Sequence, residues 1–268
     1  MTEYEIPAGD ICLHARSEGD PAGRALILAH ALGTDLTIWD DILPLLPKSL
    51  HIIRYDLRGH GQSGRGDPPD GLPLAYRMGR LIADAEVVCD HLGIRSAIFP
   101  GLSVGGLVAQ GLAVKRPDLV SSLILSHTAA KIGTPALWDG RIAAILRDGL
   151  DPHIDAILER WLHRDHRDGP IAKRLRAILE RTDPAGYAAT CAAISGTDFY
   201  TPLSGLRIPT LGLAGSDDRS TPPDLVRETV DLIPGSRFTL IRKSGHLSPL
   251  EQPGTYAEAI ATFIANQG

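Results

Sequence analysis

Three short stretches carry residue types that cooperate in acyl transfer. The first is Gly101-Leu102-Ser103-Val104-Gly105-Gly106. It follows a short apolar run and opens a helical pattern, the strand–turn–helix context in which a sharp turn lifts one serine into a cleft. A serine hydroxyl is a weak nucleophile and needs a base to take its proton. The second stretch, Gly215-Ser216-Asp217-Asp218-Arg219-Ser220-Thr221-Pro222, offers two adjacent aspartates, and the third, Lys243-Ser244-Gly245-His246, offers a histidine. In the order Ser…Asp…His, these residues fit a nucleophile, a carboxylate that holds an imidazole, and a general base. Residue type alone leaves Asp217 and Asp218 open. A turn or helix cap before Pro222 and a solvated loop histidine are the simpler readings of each stretch taken singly. Their joint occurrence after three separate strands favours the chemical one.

An acyl-transfer site also needs N–H donors for the oxyanion. Val104, directly after the serine, is one candidate. The other lies in Ala29-His30-Ala31-Leu32-Gly33-Thr34, where Leu32 is the expected donor. His30 and His60 are expected to organise loops rather than act as bases. The remaining histidines, including His153, His163 and His166, lack metal-ligand spacing, so no metal and no cofactor is expected.

The elements that must position these groups alternate. Glu3–Ile6 and Ile11–Ala15 read as an opening hairpin. Ala25–Ala29, His51–Asp56, Ser96–Phe99, Val120–Leu125, Pro209–Ala214 and Arg237–Ile241 read as strands, the first a continuous apolar run suited to burial on both faces. Helices are expected around Trp39–Leu46, over Leu74–Leu92, Leu107–Lys115, Pro223–Leu232 and Pro253–Ala265. Pro100 removes one ladder donor, which the last residue of a strand tolerates. From about 130 to 198 the pattern is helical without a buried strand. This is an α/β chain with a mostly parallel sheet and an inserted helical cap: a core over 1–128 and 199–268, and a cap over 129–198.

Composition bounds the rest. The 268 residues include 28 Gly and 20 Pro, with 43% hydrophobic and 22% charged residues. That excludes disorder and repeat-fibre architectures. A formal charge of −5 argues against a nucleic-acid partner. No apolar run is long enough to span a membrane, and Met1–Pro7 carries neither a basic region nor an apolar run. A cytoplasmic location is therefore expected, with Cys12, Cys89 and Cys191 as reduced thiols. The expected partner is a small molecule; a homo-oligomer is left open.

Taken together, the motifs resemble the α/β-hydrolase superfamily, and within it the 3-oxoadipate enol-lactonases. The narrower resemblance rests on Leu32-Gly33-Thr34-Asp35-Leu36 with Trp39, on Arg54-Tyr55-Asp56-Leu57-Arg58-Gly59-His60-Gly61, and on Thr128-Ala129-Ala130-Lys131-Ile132-Gly133-Thr134-Pro135. Trp138, Arg141, Arg160-Trp161, Thr182-Asp183 and Gly186-Tyr187 extend it through the cap. It implies an eight-stranded sheet, hydrolysis of a small enol-lactone of aromatic catabolism, and Ser103, Asp218 and His246 as the catalytic set. The family pattern Gly-x-x-Asp-x-x-Thr-Pro falls on Gly215, Asp218, Thr221 and Pro222, which selects Asp218 over Asp217. Trp138 and Arg141, three apart on one helix face, are candidate substrate contacts, and Arg141 or Lys131 is a candidate partner for a substrate carboxylate. Two departures, Ala29-His30-Ala31 for Ser-Asn-Ser and Lys131 for Arg, bear on substrate. Carboxylesterase, carbon–carbon hydrolase and cofactor-free perhydrolase chemistry share the same triad. A silent receptor on this fold is the reading from another class.

Overall fold

The computed structural model describes residues 1–68 and 72–267. Its framework is one eight-stranded sheet in the order β1-β2-β4-β3-β5-β6-β7-β8. The strands are β1 (Thr2–Ala8), β2 (Ile11–Gly19), β3 (Arg24–Ala29), β4 (Leu50–Tyr55), β5 (Ala97–Leu102), β6 (Val120–Ser126), β7 (Thr210–Gly215) and β8 (Arg237–Ile241). β1 and β2 form the antiparallel hairpin at one edge, β2 pairs antiparallel with β4, and all later pairs are parallel. The central strands β4, β5 and β7 are buried at every residue, β4 including His51 and Arg54, whereas edge strand β8 is buried only at Ile241.

Helices cover both faces: α1 (Met78–His91), α2 (Val104–Lys115), α3 (Pro135–Asp148), α4 (Ile154–Trp161), α5 (Pro170–Arg181), α6 (Pro184–Ser195), α7 (Tyr200–Ser204), α8 (Pro223–Asp231), α9 (Ser248–Glu251) and α10 (Pro253–Ala265). The chain leaves the sheet at the end of β6 and returns at β7. Between them, α3 packs on α6 and α4 on α5. Proline opens three of these four helices, with Thr134 and Asp183 capping α3 and α6 through their side-chain oxygens.

Three expectations are corrected. The helix expected around Trp39–Leu46 is instead two 3₁₀ turns, Leu36–Trp39 and Leu43–Leu45. Pro44 sits inside that span, and Asp35 caps the start of the first turn, accepting from both the Thr37 N–H and its hydroxyl. The helix expected from Leu74 begins at Met78. Ahead of it the backbone is extended, and the Tyr76 N–H donates to Ala189 O at 3.1 Å. Pro100 is also not the last residue of its strand, since β5 continues to Leu102. Its missing N–H falls where the β3 ladder is interrupted, between the pairs Leu26↔Ile98 and Ala29↔Gly101.

Candidate active site

β5 delivers Ser103 at a sharp turn into α2. Its φ is 59° and ψ −116°, a left-handed conformation that costs a non-glycine residue about 1–3 kcal/mol. The surrounding backbone holds it there: the Ser103 N–H donates to Ser126 O at 2.9 Å, and the Thr128 hydroxyl donates to Ser103 O at 2.7 Å. The flanking glycines answer to close approach. A Cβ on Gly101 would stand 2.2 Å from Gly105 O, and one on Gly105 would stand 2.2 Å from Ala29 O. The turn, the first turn of α2 and the exit of β3 are thus packed backbone to backbone.

The residues expected for the oxyanion hole lie at that junction. Among the described residues, neither the Leu32 N–H nor the Val104 N–H has an acceptor. Val104 is the first residue of α2, so its N–H is one of the donors that a helix leaves unpaired. His30 fixes the Leu32 loop: its Nδ1 meets Ala31 O at 2.8 Å, and its Nε2 accepts the Leu57 N–H at 2.8 Å. Those two contacts require the Nδ1–H tautomer. Burial lowers the His30 pKa, which keeps the ring neutral and suited to this bridging.

Asp218 and His246 come together from the exits of β7 and β8. His246 Nδ1 lies 2.8 Å from Asp218 Oδ2. The carboxylate collects further donors. Its Oδ1 accepts the N–H groups of Ser220 (2.7 Å) and Thr221 (3.0 Å), and its Oδ2 accepts the Thr221 hydroxyl (2.9 Å). Burial alone would raise the Asp218 pKa; the neighbouring imidazoles outweigh it and hold the group far below the usual carboxylate range. Asp218 is therefore an ionised, buried acceptor, and His246 presents Nδ1–H to it. Asp217 points elsewhere: it is exposed, and its carboxylate accepts from the Ser216 hydroxyl at 2.6 Å.

The imidazole of His246 is held from three sides. The His246 backbone N–H donates to Trp161 O at 2.6 Å, the Trp161 ring stacks on the imidazole with centroids 6.4 Å apart, and buried Glu251 accepts the N–H of the preceding Gly245 at 2.8 Å. Glu251 also accepts the His163 N–H at 2.6 Å, which joins the histidine loop to the end of α4.

Ser103 and His246 line one cavity of about 150 Å³, together with Leu32, Trp138, Arg141 and Arg160 among others. No hydrogen bond within 3.5 Å links Ser103 Oγ to His246. Such contacts commonly tighten only when a substrate is in place. Trp138 and Arg141 share a face as their spacing requires, with the guanidinium 4.7 Å above the indole. Trp138 Nε1 donates to Ile132 O at 2.6 Å, which fixes the indole as the platform for that cation. Lys131 is a correction. Its ammonium pairs with Asp198 at 3.2 Å on the surface, and it does not line the cavity.

In its place the structure brings Arg160. It faces the same cavity from α4, and burial and the nearby Arg141 both lower its pKa. Among the described residues, neither arginine has a carboxylate within 4.0 Å. Nothing in sequence spacing marks Arg160, because it meets Arg141 only through the packing of two separate helices. His127 was also missed. It places Nδ1 3.0 Å from Asp218 Oδ2, so His127, Asp218 and His246 bring three potential metal ligands within 4.8 Å. The two nitrogens stand at hydrogen-bond distance from one shared oxygen, a geometry that protons account for.

The arrangement as a whole matches known proteins. A model of the alpha/beta hydrolase fold matches residues 24–253. The chain is 32% identical over 261 residues to 3-oxoadipate enol-lactonase 2 of Acinetobacter baylyi, covering 97% of this chain and 95% of that one. Among solved structures, a hydrolase from Pseudomonas aeruginosa PA01 superposes with a TM-score of 0.90 at 34% identity, covering 97% of each chain. The enol-lactonase from Burkholderia xenovorans LB400 superposes with a TM-score of 0.90 at 30% identity, covering 98% of this chain and all of that one. A serine at a strand-to-helix turn, a buried Asp–His pair from later strand exits and a match over nearly the whole chain lead to one assignment: the chain belongs to the α/β-hydrolase fold family.

Proposed function

We propose that the protein is a serine hydrolase that opens a small enol-lactone bearing a carboxylate, with 3-oxoadipate enol-lactone the substrate its relatives suggest. The observation that carries the reading is the pairing, in one small cavity, of Ser103 and His246 with two guanidinium groups that lack a carboxylate partner. Both guanidinium groups are half-buried with no carboxylate within 4.0 Å among the described residues, and an anionic ligand supplies that counter-charge.

In this reading His246, with Nδ1–H on Asp218, has its Nε2 lone pair free to take the Ser103 proton. Ser103 Oγ attacks the lactone carbonyl, and the Leu32 and Val104 N–H groups receive the negative charge that develops on oxygen. Collapse breaks the ring C–O bond. The proton held by His246 passes to the departing enol oxygen, which stays tethered to the acyl chain and tautomerises to the ketone. Water then gives a proton to His246 and attacks the acyl-enzyme, releasing the second carboxylate and restoring Ser103. Arg141 and Arg160 hold the substrate carboxylate, Trp138 supports Arg141, and residues 129–198 act as the cap that shapes the cavity.

A second reading, hydrolysis of simple esters, draws on the apolar part of the wall, Leu32, Ile132, Leu137 and Ile194. Following the loss of enol-lactone absorbance beside turnover of short p-nitrophenyl esters separates the two. The enol-lactone is expected to be the better substrate, with turnover abolished in Ser103→Ala. Full activity in that variant sinks the hydrolase reading, and preference for the uncharged ester sinks the lactonase reading alone.

A further inference from the structure

The carboxylate of Asp218 serves two imidazoles, and only one of them is used by the mechanism above. His127 stands just past β6, wholly buried, with φ 48°. Its Nδ1 lies 3.0 Å from Asp218 Oδ2, the same oxygen that His246 Nδ1 approaches at 2.8 Å. The two rings meet edge to face at 5.7 Å.

The protonation pattern follows from the partners. An ionised carboxylate only accepts, so His127 Nδ1 must carry a hydrogen. The Gly215 N–H, 3.4 Å from the same nitrogen, then cannot donate to it, and the shorter contact to the carboxylate decides the tautomer. His127 Nε2 is buried with no partner among the described residues. A proton there would be buried with no protein acceptor among the described residues, which favours the neutral ring. The charged or titratable groups acting on His127 are Asp218 and Glu251, which favour its cation, and His246, which disfavours it. Burial outweighs these influences and lowers its pKa.

We propose that His127 is a positioning residue for the triad acid: as a neutral imidazole it donates Nδ1–H to Asp218 Oδ2, fixes the carboxylate and draws off part of its charge, which lowers the basicity of His246. This inference rests on Ser103, His246 and Asp218 being the reacting set. With His127 in place, Oδ2 divides its charge among His127, His246 and Thr221. Without it, His246 receives a larger share, its imidazolium is better stabilised, and a higher pH is needed to generate the free base.

Two replacements separate donation from bulk. Asn places its side-chain N–H where His carries Nδ1–H and tolerates a left-handed φ, whereas Leu fills the space without a donor. The measurement is the pH dependence of kcat/KM for p-nitrophenyl acetate. In His127→Leu the acidic limb is expected to move up by about one pH unit, the scale of one hydrogen bond to a charged group. In His127→Asn it stays at the wild-type position. An unmoved limb in His127→Leu, or an equal shift in both variants, overturns the proposal. Ser103→Ala measured alongside keeps the two readings apart: if it still turns the ester over, the triad assignment fails rather than the role of His127.

Should His127→Leu not fold, ¹⁵N NMR of the wild-type imidazoles decides. The expected ring carries its proton on Nδ1 and does not titrate between about pH 5 and about pH 9. An Nε2–H tautomer, or titration within that range, contradicts the proposal.

Discussion

Replacing Arg160 by Met removes one of the two unpartnered guanidinium groups in the cavity while keeping a long side chain on α4. If the pair holds a substrate carboxylate, the variant loses charge-assisted hydrogen bonds, each worth about 1.5–3 kcal/mol. Converted through the transition-state relation, that is a fall in kcat/KM of roughly 10- to 150-fold for a carboxylate-bearing enol-lactone. For p-nitrophenyl acetate, which carries no carboxylate for Arg160 to hold, the change is expected to stay below about threefold. Stability moves the other way. Arg141 and burial together disfavour the Arg160 cation, and no carboxylate offsets them, so Tm is expected to hold or rise. The assay compares the two substrates on the same preparation, with Tm by differential scanning fluorimetry. Equal losses on both substrates would show that Arg160 acts by shaping the cavity. An unchanged kcat/KM for the enol-lactone would refute the carboxylate site outright.

Further outcomes follow from the same geometry. Gly105→Ala places a methyl group 2.2 Å from Ala29 O, an overlap that no side-chain rotation relieves. A loss of about 3 kcal/mol is expected, roughly 6–12 °C in Tm for a chain of this size, and an unchanged Tm would contradict the backbone packing described. His60 is buried, and its pKa is pushed down to about 4 from 6.5. The unfolded chain takes up that proton near pH 6.5 while the folded site refuses it down to about 4, so stability falls as pH drops through this window. The loss is about 3 kcal/mol, read by urea unfolding at several pH values. His60→Asn should flatten the slope; an equally steep dependence would place its cause elsewhere.

Much of the sheet was legible because strands buried on both faces write themselves as apolar runs: Ala25–Ala29 and Pro209–Ala214 mark β3 and β7 to within a residue or two. The region after Asp35 was not, because its outcome turns on local oxygen acceptors and on Pro44 rather than on periodicity. The same contrast governs the site. Ser103, Asp218 and His246 stand in motifs whose spacing reflects the turn each one needs. His127 reaches Asp218 across 91 positions, and Arg160, though part of the Arg160-Trp161 resemblance, joins Arg141 only in the folded cavity, so local spacing gives neither of them its role. Lys131 misled for the converse reason. It is the right type of residue near the right motif, but its ammonium is taken by Asp198.

The account stands or falls on Ser103 as the nucleophile served by His246. Incubation with a fluorophosphonate, followed by mass spectrometry of the digested protein, tests that directly. The adduct is expected on the peptide containing Ser103, absent in Ser103→Ala, and formed at least about a hundredfold more slowly in His246→Ala, as loss of a general base requires. An adduct on another residue, or undiminished labelling in Ser103→Ala, would contradict it.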